Sequence, residues 1–211
     1  MEIANMINIA LPKGRLGDSV YKSLEAIGYE CPEMNEDNRK LIFENEEKGV
    51  KYILVKPSDV AVYVEHGAAD IGIVGYDVIK ENEPDVFELL DLDIGKCSMA
   101  VAAPKGFEDT GRGPLRVATK YPHIAKEYYM SINRQIEIIT LHGSIELAPI
   151  VGLSDVIVDI VETGATLREN GLEVCSYIVK SSARVIANKS SYHFKRDSIE
   201  KILSGLGEKA L

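Results

Sequence analysis

Short apolar runs alternate with segments of helical period along most of the chain. INIAL (7–11) is such a run. The segment after it puts Leu16, Val20, Leu24 and Ile27 on one face and closes on Gly28, which predicts a strand leading into a helix. KLIFEN (40–45) and VKYILV (50–55) read as paired strands around Glu47–Gly49, because turn residues separate two β-prone runs. PSDVAVYVEHG (57–67) opens with helix-start residues and ends on glycine, and ADIGIVG (69–75) reads as a buried strand. VFELL (86–90) and SMAVAAP (98–104) follow as strands.

Beyond the turn-rich stretch 104–114 the alternation resumes. Strands are predicted at 115–120, 136–141 and 155–161, with helices at 122–133 and 145–152 between them. Strands at 173–179 and 183–189 precede a closing helix at 195–207, whose apolar face carries Ile199, Ile202 and Leu203. Such alternation predicts an α/β fold with parallel sheets covered on both faces. GAADIGIVG (67–75) and GLSDVIVDIV (152–161) both begin Gly-x-x-Asp and run into an apolar strand, an internal echo that suggests two similar lobes. The apolar runs break near 92–97. The expected division is 1–94 plus 182–211 for the first lobe and 95–181 for the second, with a ligand cleft between them.

Composition narrows the function. A net charge of -9 excludes a general nucleic-acid binder, which needs a basic surface; a polyanionic ligand must then be met by local basic clusters. Cys31, Cys97 and Cys175 lack metal-ligand spacing and are odd in number, so reduced thiols in the cytoplasm are expected. The four histidines are scattered, without the pairing of a zinc site. The amino-terminal segment lacks the pattern of a signal peptide, and no window approaches a membrane span.

The chemistry concentrates where VIVDIV turns polar. Asp159, Glu162, Thr163, Gly164 and Thr166 stand at the predicted carboxyl end of a buried strand, where α/β sheets collect ligands. A glycine, two hydroxyls and free helix-start amides would cradle a phosphate. The carboxylates suit ribose hydroxyls or a bound magnesium ion. Phosphoribosyl pyrophosphate satisfies all of these groups; a capped helix with solvated carboxylates is the plainer alternative. ALPKGRL (10–16) places Lys13 and Arg15 beside Gly14 at another strand-to-helix turn, either an anion contact or a solvated basic turn. Arg39 adds a further charge. Asp70 starts the ADIGIVG strand, and Gly72 and Gly75 thin its wall so that a flat ring of a substrate could lie against the backbone, although Gly72 is expected to serve helix packing. HGSIEL (142–147) ends another strand with Ser144 as a helix cap, and Glu146 there is a candidate second-sphere or magnesium carboxylate.

Taken in order, ALPKGRL, YVEHGAADIGIVG, RVATKYPHIAKEYY, LHGSIELAPIVGLSDVIVDIVETGATLRENGL and SARVIAN resemble ATP phosphoribosyltransferase, the first enzyme of histidine biosynthesis. The resemblance covers nearly the whole chain and implies two lobes of periplasmic-binding-protein type. It implies that Thr163, Gly164, Ala165 and Thr166 hold the 5′-phosphate, and that Lys13, Arg15, Arg39 and Asp70 face the cleft where ATP meets it. At Ala61 and Val62 the chain departs from the Pro-Thr frequent in the family.

The implied reaction transfers phosphoribosyl to adenine N1 of ATP, with magnesium as cofactor. Because the chain ends soon after its last predicted helix, it resembles the short form of the family. That form works as a dimer with a separate regulatory subunit related to histidyl-tRNA synthetase. Two rivals are a salvage-type phosphoribosyltransferase, which usually has adjacent acidic residues before its loop, and a two-lobe small-ligand-binding protein without catalysis.

Overall fold

The computed structural model describes residues 6–36 and 39–208. These form two compact units. The first holds the described residues up to Ile79, then Glu83–Gly95, and those from Ser182 on; the second holds Lys80–Asn82 and Lys96–Ser181. In chain order the elements of the first half are β1 (Ile7–Pro12), α1 (Arg15–Glu25), β2 (Ile42–Asn45), β3 (Val50–Val55), α2 (Val60–Glu65), β4 (Ile71–Gly75), α3 (Tyr76–Asn82) and β5 (Phe87–Asp91). Then come β6 (Cys97–Pro104), β7 (Leu115–Thr119), α4 (Pro122–Ser131), β8 (Ile136–Thr140), α5 (Leu147–Ile150), β9 (Val156–Val161), α6 (Ala165–Glu169), β10 (Leu172–Ser181), β11 (Ala183–Ala187), α7 (Lys189–Phe194) and α8 (Arg196–Gly207).

The sheets run β2-β3-β1-β4-β11-β5 and β10-β6-β9-β7-β8. Neither is purely parallel, which corrects the expectation of parallel sheets. β1 is parallel to β3 and β4, whereas β11 lies antiparallel between β4 and β5. In the second sheet β7 is parallel to β8 and β9, whereas β6 lies antiparallel between β9 and β10. The cause is connectivity: β6 and β11 enter their sheets without the crossover helix that parallel pairing requires.

The helix faces read from the sequence are buried: Val20 and Leu24 of α1, and Ile199 and Ile202 of α8, pack with Ile7, Ile9 and Tyr52 in the first core. Gly72 does serve helix packing, since a side chain there would collide with Val60 and Val64 of α2. The short helix α7 was not foreseen; Asn188 starts it by accepting a 3.0 Å bond from the Ser191 amide. Among the described residues no helix is long and apolar enough to cross a membrane.

Omitting the edge strand β2, the sheets share one topology: β3-β1-β4-β11-β5 corresponds to β8-β7-β9-β6-β10. The internal echo falls on equivalent strands, β4 and β9. Its shared aspartates make the same contacts. Asp70 accepts from the Asn8 amide at 2.8 Å and donates its own amide to the Asn8 carbonyl at 2.8 Å. Asp155 does the same with Arg116, at 2.9 Å each way. Each carboxylate also has a cation, Lys195 at 2.7 Å for Asp70 and Arg116 at 2.6 Å for Asp155.

Candidate active site

β9 is the central strand of the second sheet, and beside it the connections part, β7 leading to β8 on one side and β9 to β10 on the other. A crevice outside such a switch point is where α/β sheets bind ligands. Val156, Ile157 and Val158 are buried, Asp159 is half-buried, and Glu162, Thr163, Ala165 and Thr166 are exposed around half-buried Gly164. Gly164 has φ 69°, in the left-handed region, so the chain turns from β9 into α6 at little cost. Thr163 Oγ1 accepts from the Ala165 amide at 3.3 Å. The Arg168 guanidinium reaches back to donate to the Thr163 carbonyl at 3.0 Å, fixing the turn from below. Leu167 anchors α6 in an apolar cluster with Leu172 and Val174 of β10.

A cavity of about 240 Å³ is lined by this turn together with Glu146, Asp159 and Glu162. The sequence-predicted carboxylates and phosphate turn are thus brought to one place. Burial pushes the Asp159 carboxyl up to about 6, and the charge of Glu146 adds to the rise, while the Ile160 amide and Lys120 oppose it. Asp159 Oδ1 accepts from the Ile160 amide at 2.8 Å. A partly desolvated carboxylate facing a second one is a donor set suited to a divalent cation, which would offset both charges. A larger groove of about 710 Å³ borders the same turn on the side of β10, walled by Arg168, Tyr177 and Lys180. It lacks Asp159 and Glu146, and the smaller cavity is therefore the better candidate for a sugar phosphate.

Lys120 is a residue that sequence reasoning missed. It is the first residue after β7, whose Thr119 pairs with Val158 of β9, and its charge is felt at Asp159. The available signal was its place: Lys13 likewise follows β1, the equivalent strand.

In the first unit, Lys13, Gly14 and Arg39 line one cavity of about 780 Å³, together with Lys22 and Lys40. Its walls include Leu11, Leu41 and Leu54, so apolar surface adjoins cationic side chains. Gly17 makes the close approach of α1 to β1 possible, since a side chain there would strike the Pro12 carbonyl. Arg15, exposed at the first position of α1, is not in that lining.

Asp70 is not among the residues lining the Lys13 cavity. It lies at the amino end of β4, whereas the Lys13–Arg15 turn follows the carboxyl end of the parallel neighbour β1. The residue is 4% exposed, and its carboxylate is engaged by Asn8 and Lys195. The matching role of Asp155 marks both as clamps that tie two strand starts together. Gly75 is at the carboxyl end of β4, but the Asp77 carboxylate occupies the space a side chain there would take.

Fold and turn together define a two-sheet α/β protein with a strand-to-helix glycine turn at the end of a central strand. Residues 56–208 match the family model of HisG, ATP phosphoribosyltransferase. The chain belongs to that family. It is 60% identical to the ATP phosphoribosyltransferase of Brachyspira hyodysenteriae over 96% of this chain and 99% of the relative. It is 54% identical to that of Clostridioides difficile, over 93% and 95% respectively. Among solved structures it resembles the ATP phosphoribosyl transferase (HisG:HisZ) complex from Thermotoga maritima, with TM-score 0.86 and 38% identity over 97% of this chain and 98% of that one. The periplasmic aliphatic sulphonate binding protein SsuA of Escherichia coli matches with TM-score 0.62 at 13% identity, over 98% of this chain and 72% of that one, a likeness of fold alone.

Proposed function

We propose that this chain transfers the phosphoribosyl group of phosphoribosyl pyrophosphate to adenine N1 of ATP, giving phosphoribosyl-ATP and pyrophosphate, the first step of histidine biosynthesis. The observation that carries the reading is the cavity joining the Thr163–Thr166 turn to Asp159, Glu146 and Glu162. Backbone amides and hydroxyls of the turn hold the 5′-phosphate. Asp159 and Glu162 accept from the ribose hydroxyls and stabilise positive charge as it builds on the ring. The N1 lone pair forms the new bond to the anomeric carbon, the bond from that carbon to the pyrophosphate oxygen breaks, and its electron pair leaves with pyrophosphate. The exocyclic amine then gives its proton to solvent. N1 already carries a lone pair, so no strong base is needed, and most of the acceleration comes from holding two polyanions in attacking geometry.

Enzymes of this family use a divalent metal. Here Glu146 and Asp159 would hold Mg²⁺, which supplies charge neutralisation for the leaving pyrophosphate. Lys13, Gly14 and Arg39 take the polyphosphate of ATP in the cavity of the first unit, with Arg15 close by in sequence. The protein works in the cytoplasm as a dimer with a regulatory subunit of the kind named in the Thermotoga maritima complex.

Radiolabelled transfer from phosphoribosyl pyrophosphate to ATP tests the whole reading. The expected result is little product from the chain alone, a gain when the histidyl-tRNA-synthetase-like subunit is added, and loss of that gain with histidine. Ligand binding with no transfer in any combination would favour a binding protein; full histidine-sensitive activity from the chain alone would remove the partner.

A further inference from the structure

The reading above leaves the pyrophosphate end of the substrate without a protein cation. We propose that Lys120 contacts it, as a further substrate-binding residue of the second unit. This rests on the Thr163–Thr166 turn holding the 5′-phosphate, and three observations on the chain support it.

The first is direction. After β9 the chain swings toward β10, because Leu167 of α6 packs with Leu172 and Val174. In the order β10-β6-β9-β7-β8, that puts the phosphate turn on one side of β9 and β7 on the other. A ribose whose 5′-phosphate sits on the turn and whose hydroxyls reach Asp159 directs its anomeric carbon toward the end of β7. Lys120 is the residue that stands there.

The second is fixation. The Thr119 side chain is fully buried. Its hydroxyl donates to the Val158 carbonyl at 2.7 Å and accepts from the Tyr121 amide at 2.8 Å. The two backbone positions flanking Lys120 are therefore tied to β9 one residue before Asp159, while the lysine itself is exposed. Its ammonium lies 6.0 Å from the Tyr121 ring and makes no ion pair among the described residues. A lysine on a fixed backbone, with a flexible stem and a free charge, can follow a diphosphate from substrate to departing product.

The third is charge. Glu146, Asp159 and Glu162 line the cavity and repel a ligand bearing several phosphates. Arg168 already donates to the Thr163 carbonyl at the 5′ end, so a protein cation at the anomeric end would share the pyrophosphate charge with the magnesium ion. The repeat points the same way, since Lys13 and Lys120 each follow the strand parallel to the central one, β1 beside β4 and β7 beside β9.

Calorimetry on the full chain tests the assignment with two fragments of the substrate, magnesium pyrophosphate and ribose 5-phosphate. Lys120→Ala should weaken pyrophosphate by about tenfold or more, the loss of one charge-assisted contact, and leave ribose 5-phosphate within roughly twofold of the parent. Lys120→Arg should restore most of the pyrophosphate affinity. Gly164→Val should give the opposite pattern, losing ribose 5-phosphate first. Unchanged pyrophosphate binding in Lys120→Ala, or equal loss of both fragments, overturns the assignment while the turn keeps its role. Unchanged ribose 5-phosphate binding in a folded Gly164→Val protein overturns the turn, and this inference with it.

Discussion

Asparagine at position 159 keeps the acceptor for the Ile160 amide and removes the carboxylate. In the folded chain burial raises Asp159 from its ordinary 3.8 to about 6. Between those values the folded state holds a proton that the unfolded state has released. Stability of the parent therefore falls as pH rises through that window. The gap between 3.8 and about 6 corresponds to about 3 kcal/mol when fully developed. For a chain of this size, roughly 2–4 °C accompanies each kcal/mol, so unfolding midpoints should part by roughly 6–12 °C. The asparagine side chain cannot titrate. Asp159→Asn should then have its lowest advantage near pH 4 and gain the full difference above pH 7. Thermal and urea unfolding in EDTA, at steps of pH from 4 to 8, measures it without a metal on the carboxylates. Parallel stability profiles for the two proteins would refute the argument, as would an asparagine variant that loses ground toward pH 8. The same variant should lose turnover more than phosphate binding, because its ionised oxygens are missing when charge builds on the ribose.

Lys13→Ala and Arg15→Ala should raise the Michaelis constant for ATP, more steeply at low salt than at high salt because Coulomb attraction is screened; a loss indifferent to ionic strength would make the turn structural. Asp70→Asn should cost about 3 kcal/mol of stability by leaving Lys195 without its buried partner, and Asp155→Asn should cost less because its pair is more exposed. Calorimetry should find both substrates bound as before in Asp70→Asn, and a selective loss of one of them would return Asp70 to the site.

Strands and helix faces were legible where burial imposes a period, as at Val20 and Leu24 or along VIVDIV. The turn after β9 was legible because a glycine at a strand end allows the left-handed backbone that Gly164 adopts before α6. The strand contacts of Asp70 were not legible, because a carboxylate at a strand start looks the same in sequence whether it meets a ligand or a neighbouring strand. Only the pairing with Asn8, repeated by Asp155 and Arg116, separates the two. Strand direction was not legible either, since β6 and β11 carry ordinary strand patterns and their antiparallel sense follows from where the chain has come from. The closeness of Lys120 to Asp159 was not legible, since it depends on the register of Thr119 with Val158, a long-range fact.

The insertion of β11 between β4 and β5 sets an order for synthesis on the ribosome. Every strand of the second sheet, β6 to β10, is made before Ala183, so that sheet can close while the first still lacks an inner member. The earlier half of the chain is thus completed later. Until residues 183–187 arrive, β4 and β5 expose unpaired edges that invite pairing with another nascent chain. Shortening the gene by its last thirty or so codons would accordingly damage the amino-terminal sheet and spare the one encoded nearer to the cut.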